Sequence, residues 1–255
     1  MLTTYKIAIR FLREHFAMFL SLAVLLWIAE IFISYAETSG SVVFVMWAIA
    51  AYYLHRATMF DEASVWKAPK NPVRPAAIGR FIMLSFLISV ILVAGVIIVI
   101  FAQGFDEFVE KANAGTNASL IGILAIAIAL NVLLLVLFGT ALPAAAAADK
   151  FGLLTTLRRS RQTWQKTLSY LIFGPGLFWA IYVPLLLILN AQFHVLGAYF
   201  DLQGNLDVVQ TAVGLPLKLM ELFGTLLGVI ALSRAYAHVA SDDVKAVMVG
   251  ELKPV

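Results

Sequence analysis

Three residues carry charge where the surrounding sequence is built to exclude it: Glu30, Lys218 and Glu221. Glu30 stands in the apolar run 17–36, and Lys218 and Glu221 stand in the apolar run 208–232. Lys218 and Glu221 are i,i+3 neighbours, the spacing at which two helical side chains meet. At 1.5 Å of helix rise per residue, Glu30 lies ~22 Å beyond the charged boundary at His15. Counted the same way from Arg234, Lys218 lies at ~24 Å and Glu221 at ~20 Å. All three therefore fall at nearly one depth, and they can meet if the first and last helices touch. Gly214, Lys218, Glu221, Thr225 and Gly228 share one helical face, so the candidate binding set is Glu30, Lys218, Glu221 and Thr225. Such a cluster could hold a polar ligand or pass an ion, or it could be a structural ion pair that fixes helix packing. Each charge near a helix centre costs ~2.5–3.5 kcal/mol on insertion scales. About ten apolar side chains in 208–232 return only ~3–6 kcal/mol, so that helix needs partners.

Other chemistry finds little footing. The chain has no cysteine, which removes disulfides, thiol catalysis and thiolate metal sites. His15, His55 and His238 stand at helix ends, with Asp61, Glu62 and Asp149 within the same level, but no H-E-x-x-H or similar spacing joins them. No catalytic residue, metal or cofactor is assigned. Gly174-Pro175-Gly176 sits in apolar sequence without a following G-K-[ST], so it reads as a helix hinge, not a phosphate loop. Gly224 and Gly228 form a G-x-x-x-G, which suits close packing against a neighbouring helix of the same chain.

The elements that must position these residues are membrane helices. Of 255 residues, 62% are hydrophobic and 13% charged, against roughly 25% charged in soluble domains. Residues 112–148 and 167–200 are each free of Asp, Glu, Lys and Arg. Each run exceeds the ~20 residues that span a bilayer. Six spans are expected, at about 17–36, 42–54, 81–103, 119–142, 168–190 and 208–232. The fourth helix should extend to Ala148. The first is read as an uncleaved signal-anchor, since its apolar region exceeds the usual 7–15 residues. The connection 55–80 reads as a surface helix followed by an irregular, proline-containing stretch from Pro69.

Lysine and arginine set the orientation. Sixteen of the 18 fall in 1–16, 55–80, 149–167 and the tail, while Glu37, Asp106, Glu107, Glu110, Asp201 and Asp207 fall in the other loops. The positive-inside rule then places both termini in the cytoplasm. Within 1–16, Lys6, Arg10 and Arg13 alternate with apolar residues, as do Arg158, Arg159, Arg161 and Lys166 within 149–167. Both segments read as amphipathic helices lying in the interface. Their expected partners are anionic lipid headgroups, at ~1 kcal/mol per cation. Phe151, Leu154, Leu157 and Trp164 should face lipid or the bundle. Nucleic acid is excluded as a partner, because these cations alternate with residues that must face lipid.

The fold class is therefore all-α: a single membrane domain over 1–255, with 1–60, 61–148 and 149–240 as three helical hairpins. A shift of 152 residues sets Thr3-Thr4 on Thr155-Thr156, Leu25 on Leu177 and Trp27 on Trp179. The first and third hairpins should superpose, with turns into the span at His15-Phe16 and Thr167-Leu168.

The stretch Leu142-Pro143-Ala144, Asp149-Lys150 and Leu157-Arg158-Arg159-Ser160, with Trp164 and Lys166, resembles the YciC-type six-span proteins of the bacterial inner membrane. It is similar also to the related membrane domain of some glycerophosphodiester phosphodiesterases. Arg161 stands where that pattern has an aromatic residue after the serine. The phosphodiesterase domain is absent, so its activity does not carry over. The resemblance implies a non-enzymatic inner-membrane protein, acting as a scaffold or accessory subunit of a membrane complex or in envelope homeostasis. The alternative is a small transporter or channel working through Glu30, Lys218 and Glu221.

Overall fold

The structure, a computed structural model, describes residues 2–36, 41–61, 75–102, 117–149, 152–193, 199–200 and 205–248. The helices are α1 (Leu2–Ala36), α2 (Ser41–Phe60), α3 (Pro75–Ala102), α4 (Asn117–Phe138), α5 (Ala141–Ala146) and α6 (Leu153–Leu171). A π-helical turn (Ile172–Gly176) leads into α7 (Leu177–Phe193), followed by α8 (Val208–Ala237) and α9 (Asp242–Val247). The expected acidic loop with Asp106, Glu107 and Glu110, the first surface helix of 55–80 beyond Asp61, and Phe151, His194 and Asp201 lie outside the described residues.

α8 is the axis. Its Leu222, Leu226, Leu227 and Ile230 are fully buried against Ile7, Phe11, Phe19, Leu22 and Leu26 of α1 and Ala50 and Leu54 of α2. These recur at i, i+3/i+4 spacing on each helix, so each presents one apolar stripe to the shared core. Burying a leucine or phenylalanine in this way contributes ~1.5–3 kcal/mol where water is the alternative. Asp207 caps the helix, its Oδ1 accepting from the Gln210 N–H at 3.0 Å.

Among the described residues, five helices are long and apolar enough to cross a membrane: Thr3–Ala36, Ser41–Phe60, Ala77–Ile98, Leu153–Gln192 and Val208–Ala237. The fourth expected span is α4, whose 22 residues measure ~33 Å. The expected surface helix and fifth span are fused in one helical rod. Its 40 residues would measure ~60 Å, about twice the hydrocarbon thickness.

Several boundaries correct the sequence reading. α3 starts at Pro75, not after Arg80, because proline is pre-organised for the first helical position and its missing N–H is not needed there. The fourth helix does not run on to Ala148. It breaks at Gly139-Thr140, where a Cβ on residue 139 would stand 2.2 Å from the Leu135 carbonyl oxygen and 2.6 Å from Leu232. The short α5 then ends in a Schellman turn, with Ala148 at φ 54° and its neighbour's N–H, that of Asp149, bonded to the Ala144 carbonyl at 2.9 Å. The turn expected at His15 is present, as a kink with φ −124° and ψ 25° inside α1. Its counterpart, expected at Thr167-Leu168, is not there: the helix runs on through that point and changes to a π-helical stretch at 172–176. There Pro175 cannot donate to the preceding turn, and a π-turn accommodates the loss. That turn is pinned by Tyr5, whose hydroxyl donates to the Gly174 carbonyl at 2.8 Å.

The first basic segment packs differently from the sequence expectation; in α6 the exposed Leu154, Leu157 and Trp164 agree with the expected lipid side, while the packed face was not foreseen. In 1–16 the apolar face is not given to lipid: Ile7, Ala8 and Phe11 enter the core. In α6 the inward face is hydroxylic. Thr156, Ser160, Thr163 and Thr167 are buried, while Leu153, Leu154, Leu157 and Trp164 are exposed. Small hydroxyl side chains let α6 approach α4 and α8, and they bond back to helix carbonyls instead of needing water. Thr163 donates to the Arg159 carbonyl at 2.9 Å, Thr167 to the Thr163 carbonyl at 3.0 Å, and Ser160 reaches across to the Leu137 carbonyl.

Candidate functional site

The core stripe of α1 carries Glu30 to the face of α8. Lys218 Nζ lies 2.5 Å from Glu30 Oε1 and 2.5 Å from Glu221 Oε2. The three residues placed at one depth by residue counting therefore form one ion-paired triad. Lys218 is the most enclosed, its side chain 10% exposed against 22% for Glu30 and 27% for Glu221. Thr225 does not join them. Its hydroxyl donates along its own helix to the Glu221 carbonyl at 3.0 Å.

An aromatic frame surrounds the triad. The Lys218 ammonium lies 5.8 Å from the centre of the Trp47 ring, within cation–π range. Tyr199 donates to Glu30 Oε2 at 3.4 Å. It is held by an isolated antiparallel bridge between Phe200 and Leu206 and by the Asp207 N–H on its own carbonyl at 2.8 Å. Burial, then the charge of Glu30 and the hydrogen bond to it, push the Tyr199 phenol up to about 12, so it remains a donor. Gly214 makes room for this frame. A Cβ there would stand 2.7 Å from Trp27 Nε1 and 2.8 Å from the Tyr199 hydroxyl. Across α8, Gly224 meets Phe178 and Trp179 of α7 in the same way, so it packs within the chain as expected, whereas Gly228 faces open space. Trp27 and Trp179, aligned by the 152-residue shift, thus each rest on a glycine of α8.

Trp27, Trp47, Tyr182 and Tyr199 were not among the candidates drawn from sequence. One signal was available: an aromatic residue with a polar tip inside an apolar helix needs a partner for that tip.

The end of the bundle away from the triad holds a second polar network. Asp149 accepts from Arg159 Nη2 at 2.9 Å, from the Tyr236 hydroxyl at 2.5 Å and from Ser241 Oγ at 3.3 Å. Arg159, grouped with the lipid-surface cations on sequence, is turned inward by this pairing, 11% exposed, and stacks 5.4 Å from the Tyr236 ring. Arg56 donates to the Ala146 carbonyl at 3.0 Å, serving the C-terminal end of α5. Lys6, Arg13, Arg158, Arg161 and Lys166 are exposed, and Arg10 pairs with Glu14 at 3.7 Å.

The three histidines have separate surroundings. His15 Nε2 lies 3.2 Å from Asp61, His55 Nδ1 2.9 Å from Ser233 Oγ, and His238 Nδ1 3.4 Å from Lys166 Nζ. Among the described residues no group of three His, Asp or Glu side chains is placed to hold a metal ion. Burial, then the nearby charges of Lys166, Arg234 and Lys245, hold the His238 pKa below its ordinary value.

A further feature lies apart from the triad. An apolar cavity of about 680 Å³ opens between α2 and α3, lined by Ser41, Phe44, Met83, Phe86, Val90 and Ile97 among others. Comparison with protein-family models, curated proteins and solved structures gives no match for this chain.

Proposed function

We propose that this chain is a non-enzymatic, YciC-like protein of the bacterial inner membrane, with both termini cytoplasmic, that serves as a scaffold or accessory subunit by docking a transmembrane helix of another membrane protein. One observation carries the reading: the exposed stripe on α3. Met83, Phe86, Val90, Val93 and Ile97 repeat at alternating spacings of three and four residues, and all line the apolar groove. That is the spacing of a helix seam made to receive a second helix. The groove wall from Gly79 to Ile97 covers ~27 Å of helix, close to the full hydrocarbon thickness. Its lining is apolar apart from Ser41 and Ser89, so the fitting occupant is itself an apolar spanning helix. Lys6, Arg13, Arg158, Arg161 and Lys166 would meet anionic headgroups at the cytoplasmic face. The transport reading has less support, since the groove lies away from Lys218 and Thr225 is engaged along its own helix.

The test is site-specific photo-crosslinking in native membranes. A photoreactive residue at Met83 or Val90 should give an adduct mapped within a spanning helix of another membrane protein. The same probe at Ile181, exposed on α7, should not. Adducts to lipid alone, or to a second copy of this chain, would overturn the reading.

A further inference from the structure

Two packed helices brace each other at the end of the bundle away from the triad. Lys166 and Tyr170 are i,i+4 neighbours on α6, and Arg234 and His238 stand at the same spacing at the end of α8. The contacts between the two pairs run antiparallel. Lys166 Nζ lies 3.4 Å from His238 Nδ1, and the Arg234 guanidinium lies 4.4 Å from the centre of the Tyr170 ring. Thr4 of α1 closes a third side, its Oγ1 accepting from Arg234 Nη1 at 3.2 Å. Thr4 is buried, Tyr170, Arg234 and His238 are half-buried, and Lys166 is exposed at the rim.

This group is short of negative charge. Among the described residues no carboxylate pairs with Lys166, Arg234 or His238. Asp149 is engaged by Arg159, Tyr236 and Ser241. Asp242 and Asp243 are exposed on α9, and Asp242 lies 3.9 Å from Lys245. The carbonyls ending α8 attract cations, but a helix end carries only about half a negative charge. Lys166 and Arg234 bring two positive charges to it. His238 adds a donor instead of a charge. Burial, then Lys166, Arg234 and Lys245, hold its pKa below the ordinary value. Its Nδ1 accepts from Lys166, so the neutral ring carries its proton on Nε2. The half-buried guanidinium has for partners a threonine hydroxyl and an aromatic face, and neither carries a charge.

We propose that Lys166, Arg234 and His238 form a phosphate-binding site, centred on the guanidinium that Tyr170 and Thr4 hold in place. A guanidinium pairs with phosphate through two parallel N–H bonds, while an ammonium acts as a point charge. The His238 Nε2–H supplies a third donor. Arg234 is the first charged residue after Glu221 on α8. The site therefore lies where a spanning helix leaves the hydrocarbon, at the level of lipid headgroups. It differs from the general attraction of exposed cations for headgroups, because contacts among α1, α6 and α8 fix it. It does not depend on any helix docked between α2 and α3.

The experiment is native mass spectrometry of the whole protein in neutral detergent. The probes are phosphatidylglycerol, diacylglycerol with the same chains, and inorganic phosphate. The native protein should retain phosphatidylglycerol and should not retain diacylglycerol, which lacks the phosphate, at the same concentration. Arg234→Gln and Lys166→Gln should each lower that retention by about tenfold, the loss of one charge-assisted hydrogen bond. Arg80→Gln removes an exposed charge from α3 and should leave retention unchanged. Displacement of the lipid by millimolar inorganic phosphate would assign the site to a free phosphate, and retention against it to a headgroup; both support the site. Equal retention in the native protein and both variants, equal retention of diacylglycerol, or an equal loss in Arg80→Gln would each overturn the proposal. If Arg234→Gln does not fold, Lys166→Gln decides, since that side chain is exposed.

Discussion

The two polar clusters of this bundle are built on opposite charge arithmetic. Around Asp149, among the described residues, a carboxylate meets the Arg159 guanidinium and accepts from two hydroxyls. Around Lys218 two carboxylates share one ammonium, while Tyr182 has no partner. The Asp149 cluster joins the turn after α5, α6, α8 and the start of α9, so it closes one end of the bundle. The Lys218 cluster joins only α1 and α8 by charge, with aromatic side chains around it. Balanced pairs fix geometry and have no reason to change charge in ordinary conditions. The triad instead leaves one carboxylate in excess inside an apolar bundle, so the two clusters differ in charge as well as in place.

The sharpest way to break the comparison starts at the structural site. Asp149→Ala leaves the Arg159 guanidinium buried and unpaired, a change that costs about 3–5 kcal/mol. The expected outcome is the largest loss of thermal stability of any single change considered, and it should be independent of pH between about 5 and 8, because arginine does not titrate there. Replacing Arg159 by leucine in the same chain should recover part of the loss. Thermal unfolding in one detergent across that pH range measures both.

At the triad the same kind of deletion should behave differently. Lys218→Met leaves Glu30 and Glu221 uncompensated, at about 2.5–3.5 kcal/mol near neutral pH. Adding Glu30→Gln and Glu221→Gln to that variant should recover part of the penalty in thermal unfolding. No recovery would show that the two carboxylates are not what Lys218 offsets.

These two clusters also differ in how far they could be read from sequence. The triad was legible because a charge in an apolar run is conspicuous, and helix rise gives its depth without knowledge of packing. The kink at His15 was legible because the basic segment ends and the apolar one begins there, although the same change of composition in 153–192 comes without a break. Asp149 was read beside the histidines and in the family resemblance, not as a packing residue. Its role depends on Tyr236 and Ser241, 87 and 92 residues away, and no local spacing encodes that. The inward face of α6 was hidden too. Its leucines and Trp164 supply the obvious amphipathic pattern, whereas the packed face is Thr156, Ser160, Thr163 and Thr167. Hydroxyls pack inward when their donors can be returned to helix carbonyls, and composition cannot tell this from a solvated face.

That face gives a smaller effect. Ser160→Ala removes the bond to the Leu137 carbonyl and should cost about 1 kcal/mol. Leu154→Ser, at an exposed position, should leave the thermal stability of the detergent-solubilised protein unchanged. Equal losses for the two would mean that α6 packs through its leucines, and the α4–α6 contact would have to be redrawn.

The smallest expected effect lies beside the Asp149 cluster, at His238. Its Nδ1 accepts from the Lys166 ammonium at 3.4 Å, which requires that nitrogen to be unprotonated. Burial, with Lys166, Arg234 and Lys245 nearby, lowers the folded-state pKa below the unfolded value. A group whose pKa is depressed on folding binds more protons when unfolded, so stability rises with pH across the interval between the two values. The contribution of His238 is therefore fully present above its ordinary pKa of about 6.5 and is lost as the pH falls through the folded value. The site is partly open to solvent, and screening keeps the effect small. His238→Gln should remove this part of the pH dependence of thermal unfolding. An unchanged slope in that variant would mean that the contact between His238 and Lys166 is not what sets it.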